Sequence, residues 1–539
     1  MTEARRVTAS PDERYDVAIL GTHLAGSLLA TILARHGVNV LLVDSGSGEQ
    51  ELAGETTVPY TAEVFFLMAE KFGIPELNHF AKFNDLPEHV RKTSGVRRSL
   101  GFLHHYEDRE HDPVHAQQFN VPEEHAESHF FRRDVDRYAR DLAVRYGAAV
   151  IPHRPHLVDV NLKDDEVHVV TSDGETYRAS FVADASGAES PLVQQLGGAD
   201  PEPRLRHRSR VLATHMAGVK PFESLIEFEK YAPASPWSEG TTHHVFDGGW
   251  IQLAAFGNHD DGANDVTAVV MSLDPDRFPA TTQRPAEEFR RVVARFPALN
   301  RQFEDAIATT PWIADDTWQR SVSTTHAPRA FVFDRAASRQ DMFFSRDVTM
   351  TAEIVHALAT ALLAAAKTGD WTGDWIERVA RFQDGLVDFN DRILEGARIA
   401  TRDASLWQAY SKLWLLWSIL EALSLARVRM DALEADEGPD RWAAAERFDR
   451  GAFWFRMHMG IRDLWERAFE RLYEVRDGRV SASEAARWLF DELREAPFAP
   501  PLFGFGDPDD RYYYFTEPKR ERVFQWSRNE APGELRGVI

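Results

Sequence analysis

The feature that most constrains the fold is a strand, a glycine-containing turn, a helix and a second strand near the start of the chain. An apolar run from Tyr15 to Leu20 leads through Gly21-Thr22-His23-Leu24-Ala25-Gly26 into a helical stretch, Ser27 to His36, with one apolar face. A second apolar run, Val38 to Val43, ends at Asp44. This order, with an acid 23 positions after the first glycine, is the layout of a dinucleotide-binding motif and predicts a Rossmann-like domain.

Length and composition indicate a folded chain with more than one unit. With 539 residues, of which 43% are hydrophobic, the chain is too long for one ordinary core. The formal net charge of -23 would repel phosphate backbones and anionic lipid, so nucleic acid and membrane partners are not expected. The absence of Cys excludes disulfides, thiolate catalysis and Cys-ligated metals.

The location is predicted to be cytoplasmic. The segment from Met1 to Asp16 is polar and lacks the apolar core of a signal peptide. The most apolar stretches, Ala357 to Ala366 and Leu413 to Trp417, are too short to span a bilayer.

The predicted fold class is α/β, α+β overall, with three regions. We place a Rossmann-like nucleotide-binding-type domain at residues 1–205, with 65–130 contributing to the substrate side. Alternating, β-branched residues predict an inserted substrate-domain sheet at 206–328. The chain then returns to the first domain at 329–369, where a long helix is predicted near Val348 to Ala366, and 370–539 forms a helical C-terminal region with apolar residues at helical spacing. A helix from Phe131 to Tyr146 is predicted to end at Gly147, and the proline-containing tail is predicted to be an irregular strap over the surface.

The glycine turn keeps two of its three glycines. Gly21 allows a tight bend and Gly26 allows close packing of helix and strand, but the second glycine position holds His23. The imidazole ring is predicted to block a phosphate from approaching the backbone at this turn. Alternatively, a protonated imidazole could pair with the phosphate. Asp44 is suited to a ribose hydroxyl, or is a solvated acid at the end of a strand.

Further segments carry a resemblance over nearly the whole chain. They are Gly54 to Pro59, Gly95 to Phe102, Arg133 to Asp136, Asp184 to Gly187, Thr242 to Trp250, and Asp507 to Tyr512 with Trp526. In this order and spacing the sequence resembles flavin-dependent halogenases, in particular the bacterial branch acting on phenolic, pyrrolic or carrier-bound substrates. The resemblance implies an FAD-binding-type first domain, with Arg133, Asp184 and Gly187 at the cofactor.

The residue at the family's lysine position is changed. These halogenases are understood to form hypohalous acid at a flavin hydroperoxide and pass it to a lysine beside the substrate. The family pattern has that lysine directly after Gly-Val, where this chain has Arg97. A guanidinium stays protonated and cannot act as an amine nucleophile. We therefore predict that Arg97 anchors an anion or carboxylate; Lys92 could substitute for the lysine only if the loop were reshaped.

Two other family segments are altered. A Trp-x-Trp-x-Ile-Pro wall between flavin and substrate is reduced to Trp250, with Gln252 in place of the second Trp, which predicts a thinner and partly polar wall. In the flavin-side segment, Arg335 replaces an acid and Asp347 replaces the final glycine, while Asp341 keeps the register. Asp347 is predicted to cap the helix amides that meet the flavin and so to compete with it.

These changes predict a halogenase-like protein of bacterial specialised metabolism, repurposed away from lysine-dependent FAD halogenation and acting on an aromatic or carrier-tethered substrate, with FAD binding lost. Polar groups of the old tunnel would then supply acid-base catalysis; they are His23, Arg97, Gln252, Arg335, Arg339 and Asp347. His243 and His244 are candidate proton-transfer groups or hydrogen-bonded structure. The alternatives are an FAD-dependent halogenase or monooxygenase, and a non-catalytic pathway partner. No metal site is predicted, because adjacent histidines on a strand point to opposite faces.

Overall fold

The computed structural model describes most of the chain. The described residues are 9–44, 55–121, 125–151, 156–187, 189–199, 204–436, 438, 440–446, 459–514, 516–533 and 535–537. Gly54, the first residue of one familial segment, lies outside the described residues.

The strands are numbered in chain order. They are β1 (Arg14–Leu20), β2 (Val40–Val43), β3 (Gly95–Arg97), β4 (Ser99–His105), β5 (Ala116–Asn120), β6 (Glu127–His129), β7 (Ala149–Ile151), β8 (Leu157–Leu162), β9 (Val167–Thr171), β10 (Thr176–Asp184), β11 (Arg210–Ala217), β12 (Thr241–Phe246), β13 (Gly249–Ala255), β14 (Thr267–Leu273), β15 (Ile307–Ala308), β16 (Ile313–Asp315), β17 (Arg320–Ser321), β18 (His326–Ala327), β19 (Ala330–Val332), β20 (Ser338–Arg339) and β21 (Tyr512–Tyr513).

The α-helices are numbered in the same way. They are α1 (Leu24–Arg35), α2 (Pro59–Phe72), α3 (Glu88–Arg91), α4 (Arg132–Tyr146), α5 (Pro191–Gln195), α6 (Phe228–Tyr231), α7 (Pro285–Val293), α8 (Pro297–Gln302), α9 (Asp347–Thr368), α10 (Trp375–Ala400), α11 (Ala404–Glu434), α12 (Met459–Arg476), α13 (Ala482–Glu495) and α14 (Glu517–Asn529).

The first sheet confirms the strand-turn-helix-strand unit. Its strand order is β18-β19-β10-β1-β2-β7, and β19, β10, β1, β2 and β7 are parallel. Leu20 pairs with both Val43 and Asp184, so the three strand ends meet at one edge of the sheet. Helix α1 packs against α4 and α9. Ligands of open parallel sheets bind at this carboxyl edge.

Both remaining glycines of the turn are required by their surroundings. Gly21 has a φ of +96°, and a Cβ there would lie 3.0 Å from the backbone of Ala185. A Cβ on Gly26 would lie 2.0 Å from the carbonyl oxygen of Gly21. Gly21 and Gly26 therefore set the close packing of α1 on the sheet, whatever the turn binds.

The second sheet combines strands from two parts of the chain. Its order is β15-β11-β14-β13-β12-β4-β5-β21, and β16 also pairs with β11. Strands β4 and β5 precede the segment 206–328, and β4 runs parallel to β12. The segment 65–130 thus supplies a wall to the substrate side of the molecule.

Helices from the C-terminal half cover both sheets. α9 begins one residue before the predicted Val348 and lies in the core, which confirms the predicted long helix. The stretch from Phe343 to Thr368 is long and apolar enough to cross a membrane, yet 72% of its most apolar window is buried inside the protein. Because most of this stretch is buried, we describe it as a helix of the protein core. α2 and α13 pack against α11, and α12 packs against α10.

The tail is more ordered than the sequence indicated. An irregular surface strap was predicted, whereas the structure has β21 pairing with β5 and then helix α14. Lys412 of α11 holds the preceding turn, because its buried Nζ donates to the carbonyl oxygens of Gly504, at 2.8 Å, and Asp507. Edge-strand pairing and a buried lysine depend on contacts far apart in sequence, which local patterns do not encode.

Candidate active site

Arg97 lies at an apolar cavity between the second sheet and the C-terminal helices. The cavity has a volume of about 320 Å³. Its lining comes from the start of α2, from β3, β4 and β5, and from α11, β21 and α14: Val58, Pro59, Arg97, Leu100, Phe119, Asn120, Val121, His125, Trp414, Leu415, Ser418, Ile419, Ala422, Leu423, Leu502, Tyr513, Val523 and Phe524. A volume of this size suits a small organic ligand.

Most of the Arg97 guanidinium is held by the protein. Nε donates to Thr241 Oγ1 at 2.8 Å, and Nη1 donates to the carbonyl oxygen of Thr57 at 2.5 Å and to the carboxylate of Glu127. Nη2 has no hydrogen-bond partner in the described part of the chain, and the side chain is 3% exposed. Since Arg97 lines the cavity, Nη2 is the nitrogen available to a ligand.

Glu127 is a site residue that the sequence analysis missed. β3 and β6 pair antiparallel with Arg97 opposite Glu127, and this register brings the two side chains together. Glu127 is 1% exposed, and its Oε1 has no hydrogen-bond partner among the described residues. Burial raises the pKa of Glu127 to about 8, against the opposing effect of Arg97. No familial motif marks Glu127, so only the strand register could have revealed it.

Lys92 does not take the place of the missing lysine in this structure. Its Nζ pairs with Glu88 at 2.6 Å on the protein surface. The side chain is 48% exposed and does not line the cavity beside Arg97.

The side chains of Gln252 and His243 are hydrogen-bonded to each other inside the second sheet. His243 Nε2 lies 3.1 Å from Gln252 Oε1, and its Nδ1 lies 3.3 Å from the carbonyl oxygen of Gly101. The ring packs against Phe102 and Phe343. Burial lowers the pKa of His243 to about 3. Neither Gln252 nor His243 lines the cavity beside Arg97.

His244 lies on the other face of β12. Its Nδ1 is 2.9 Å from His105 Nε2, and its ring packs against Phe222. Burial lowers the pKa of His244 to about 3. Within the described ranges, no group of three or more His, Asp or Glu side chains could hold a metal ion.

A carboxylate stands beside the altered glycine turn. His23 precedes the first residue of α1, and its Nδ1 lies 3.4 Å from Asp136 Oδ2. Arg132 Nε lies 2.9 Å from Asp136 Oδ1. Burial alone would raise the pKa of Asp136, but Arg132 and His23 outweigh it and hold the pKa below its ordinary value. The imidazole is thus directed toward an ionised acid.

Arg133 lies outside this group. Its side chain is 49% exposed, pairs with Asp134 at 3.2 Å and stacks over the ring of Phe131. The neighbouring Arg132 is the arginine that faces inward, toward Asp136. The familial segment therefore contributes to the turn through Arg132 and Asp136 in this chain.

Asp44 and Asp184 end neighbouring strands at the same sheet edge. Asp44 is 4% exposed, and its Oδ2 accepts a hydrogen bond from Thr22 Oγ1 at 3.1 Å. Asp184 accepts from the backbone N–H and hydroxyl of Ser186, at 2.8 and 2.6 Å, and from the Ser190 hydroxyl. Gly187 follows with a φ of +119°. Asp184 and Gly187 shape the loop after β10.

The flavin-side segment keeps its backbone path but changes its side chains. Asp334 has a φ of +55°, in the left-handed region that glycine favours, at a position where the family pattern has glycine. Thr351 Oγ1 donates to its carboxylate at 2.5 Å. Arg335 and Asp347 line a small cavity of about 50 Å³ together with residues of α9 and α10.

The prediction that Asp347 caps α9 is wrong. Asp347 is the first residue of the helix, the N-cap position is Arg346, and no side-chain hydrogen bond caps this end. A carboxyl group in the first turn still lies near the positive end of the helix, but it does not cap the amides through a hydrogen bond. Burial raises the pKa of Asp347 to about 7, although Arg335 opposes the shift.

Asp341 ties the flavin-side segment to the second sheet. Its carboxylate accepts from Trp250 Nε1 at 3.3 Å, Ser209 Oγ at 3.1 Å and the Ser272 hydroxyl. The backbone N–H of Phe343 donates to Oδ1 at 3.1 Å. These hydrogen bonds join the flavin-side segment to β13 and β14 and to the residue before β11.

The wall next to Trp250 is aromatic rather than thin and polar. Phe343 packs on Trp250 with ring centroids 4.3 Å apart, and Phe344 stacks on Trp414 at 4.7 Å. Trp414 in turn lines the cavity beside Arg97. Rings from the turn before α9 and from α11 supply the bulk that the shortened Trp motif lacks, which the motif alone could not show.

Known proteins resemble the chain over its full length. It is 32% identical to tetracycline 7-halogenase from Kitasatospora aureofaciens, over 99% of this chain and 96% of that protein. It is 31% identical to monodechloroaminopyrrolnitrin halogenase PrnC from Pseudomonas fluorescens, over 99% and 95%. The crystal structure of halogenase PltM in complex with phloroglucinol and FAD superposes with a TM-score of 0.87 at 26% identity, over 93% of this chain and 99% of that one. No protein-family profile matches the chain.

The glycine turn, the parallel first sheet and the inserted second sheet define a two-domain oxidoreductase fold of the FAD-dependent class. Within that class, the chain belongs to the flavin-dependent halogenase family.

Proposed function

We propose that this chain is a family enzyme that binds an aromatic or carrier-tethered substrate in the cavity beside Arg97 and has left lysine-dependent halogenation. One observation carries the proposal. Among the described residues that line this largely apolar cavity, Arg97 is the only Lys, Arg, Asp or Glu. A cytoplasmic location and a role in bacterial specialised metabolism belong to the same proposal.

The contacts of Arg97 support the loss of the halogenating nucleophile. The guanidinium is fixed by Thr241, Thr57 and Glu127, and it remains protonated. A nucleophilic amine needs a neutral form, which this group does not supply. Arg97 is suited instead to hold an oxygen of the substrate through Nη2.

The side chains near the dinucleotide turn and α9 do not fit FAD as the family pattern holds it. In the dinucleotide-binding motif, a phosphate lies against the backbone of a glycine at the position of His23. In this chain the His23 imidazole is at that position, and the Asp136 carboxylate lies next to the imidazole. Asp347 adds a second carboxyl group at the start of α9, where the family has glycine. We propose that the protein works without bound FAD.

One observation favours a second candidate, an FAD-dependent halogenase or monooxygenase. Gly21 and Gly26 keep the close-packed turn, and Asp44 keeps its place at the end of β2. A solved relative is described in complex with FAD. A non-catalytic partner gains no support, because the cavity beside Arg97 is open rather than filled by side chains.

Flavin binding separates the first two candidates. We expect the purified protein to lack flavin absorbance and to bind added FAD weakly, and the double variant His23→Gly/Asp347→Gly to bind FAD at least about tenfold more tightly, since it removes the ring and the carboxyl group. Fluorescence titration with FAD measures both. His36→Gly, at the opposite end of α1, is the matched control and should behave as the wild type. A protein that purifies with one FAD per chain would contradict the flavin-free proposal.

Halogenation is tested separately from flavin binding. Wild-type protein supplied with FAD, a flavin reductase, NADH, oxygen, bromide and phloroglucinol is expected to give no enzyme-dependent brominated product by mass spectrometry, because Arg97 cannot serve as the amine. Bromination above the level of a no-protein control would favour the second candidate.

A further inference from the structure

The cavity beside Arg97 is shaped for a ring. Its lining contains aromatic and aliphatic side chains from several elements, among them Phe119, Trp414 and Phe524. Apolar walls with a few placed polar groups bind flat, apolar ligands and fix their orientation through those groups. Asn120, one of the polar lining residues, already donates through Nδ2 to Ser235 Oγ at 2.7 Å.

Arg97 Nη2 offers a hydrogen-bond donor to such a ring. The other nitrogens of the guanidinium are engaged by Thr241, Thr57 and Glu127. A donor in a dry cavity requires an acceptor, because a buried unpaired polar group is costly. A ligand oxygen therefore completes the hydrogen bonding of Arg97.

Above about pH 8, where Glu127 is ionised, the charge of Arg97 is already balanced. Glu127 is buried beside it, and among the described residues no other charged group perturbs the pKa of either side chain. A ligand carboxylate would place a second negative charge next to one guanidinium in an apolar interior. Two carboxylates that share a site disfavour each other's ionised form, so this arrangement is costly.

We infer that the cavity takes a neutral aromatic ligand whose carbonyl or hydroxyl oxygen accepts a hydrogen bond from Arg97, and that Glu127 excludes carboxylates. The inference rests on the proposed function, because it describes the substrate of the same cavity. It replaces the expectation that Arg97 anchors an anion or carboxylate. Glu127 acts as a specificity-determining residue, because its negative charge neutralises Arg97 and so disfavours a second carboxylate in the cavity.

Matched naphthalene probes test this inference. Isothermal titration of the wild-type protein at about pH 9, where Glu127 is ionised, is expected to show 2-acetylnaphthalene binding at least about tenfold more tightly than 2-naphthoate. Glu127→Gln removes the balancing charge, so the same variant should bind 2-naphthoate at least about tenfold more tightly than the wild type does. The matched control is Glu288→Gln, which alters another buried Arg–Glu pair, formed with Arg210 in the second sheet; it should leave both affinities unchanged.

Controls keep the inference falsifiable if Glu127→Gln folds poorly. The charge-neutral double variant Arg97→Gln/Glu127→Gln should bind naphthalene as the wild type does and lose the preference for the ketone. Wild-type protein that binds 2-naphthoate as tightly as the ketone would overturn the inference and leave the proposed function standing. Wild-type protein that binds neither probe would overturn both.

A further probe identifies the source of the carbonyl. 2-Naphthoyl pantetheine thioester presents the same neutral oxygen on a carrier-like arm. Binding tighter than that of 2-acetylnaphthalene would support the inference with a carrier-tethered substrate, and weaker binding would support it with a free one. Thioester binding that survives in Arg97→Gln/Glu127→Gln without loss would contradict the role of Arg97.

Discussion

Replacing Arg97 by Met is expected to lower the free energy of unfolding by about 3 kcal/mol near pH 10, where Glu127 of the wild type is ionised. The substitution keeps much of the side-chain volume but leaves Glu127, which is 1% exposed, without its cation. An ionised carboxylate in an apolar interior is strongly disfavoured when its partner is removed. Urea denaturation followed by tryptophan fluorescence measures the loss.

The loss should depend on pH in a defined direction. Burial holds the folded pKa of Glu127 above its unfolded value, and removal of Arg97 raises it further. The folded state therefore keeps its proton while the unfolded state has released it, so stability is retained below about pH 4.3 and is lost as pH rises toward the folded pKa. The double variant Arg97→Met/Glu127→Met should recover most of the loss. If Arg97→Met is no less stable than Arg97→Met/Glu127→Met, the result would contradict a stabilising ion pair between Arg97 and Glu127.

The second large effect is a steep loss of stability below about pH 4.5. Six buried histidines have pKa values lowered by burial, to about 4 for His104, to about 3 for His129, His243 and His244, and well below 6.5 for His105 and His356. Their folded pKa values lie below the unfolded value of about 6.5, so the stability they contribute is present above pH 6.5 and is lost as pH falls toward 3–4.

Buried carboxyl groups offset this loss over part of the range. Burial raises the pKa of Glu127 and Glu421 to about 8 and that of Asp347 to about 7. As pH falls, these groups are protonated in the folded state at a higher pH than in the unfolded state. They therefore add stability as pH falls from about 8 to 4.5. Below 4.5 the unfolded carboxyl groups are protonated as well, and the histidines act without opposition.

We expect stability to be greatest near about pH 6.5 and to fall on the acid side, most steeply below about pH 4.5, by up to about 8 kcal/mol per pH unit. Denaturation at a series of pH values measures the slope. His244→Gln should reduce the slope by about 1.4 kcal/mol per pH unit, and the exposed His156→Gln should not change it. An unchanged slope in His244→Gln would contradict the assignment of His244 as a buried neutral group.

Local patterns predicted the elements that depend on local chemistry. The turn around Gly21 and Gly26, helix α4 ending at Gly147 and the long α9 all follow from glycine placement and apolar spacing. These signals lie within one or two turns of the chain, where steric rules decide the conformation. The second sheet was placed correctly in outline from its alternating residues.

Long-range pairing decided what the sequence could not show. Glu127 reaches Arg97 through the register of β3 with β6, across 30 residues of chain. Asp341 was identified only as part of the flavin-side segment, whereas Trp250 of β13, Ser272 of β14 and Ser209 just before β11 donate hydrogen bonds to its carboxylate. A motif identifies a position in a family, but the partners of a side chain depend on which strands become neighbours.

The tail has a consequence for how the cavity comes into being. β21 and α14 supply Tyr513, Val523 and Phe524 to its lining, while Lys412 fastens the turn before them. During synthesis, a nascent chain that has emerged only as far as α13 presents an open trough instead of an enclosed chamber. We expect proteolytic clipping near residue 511 to open this side of the cavity without removing Arg97.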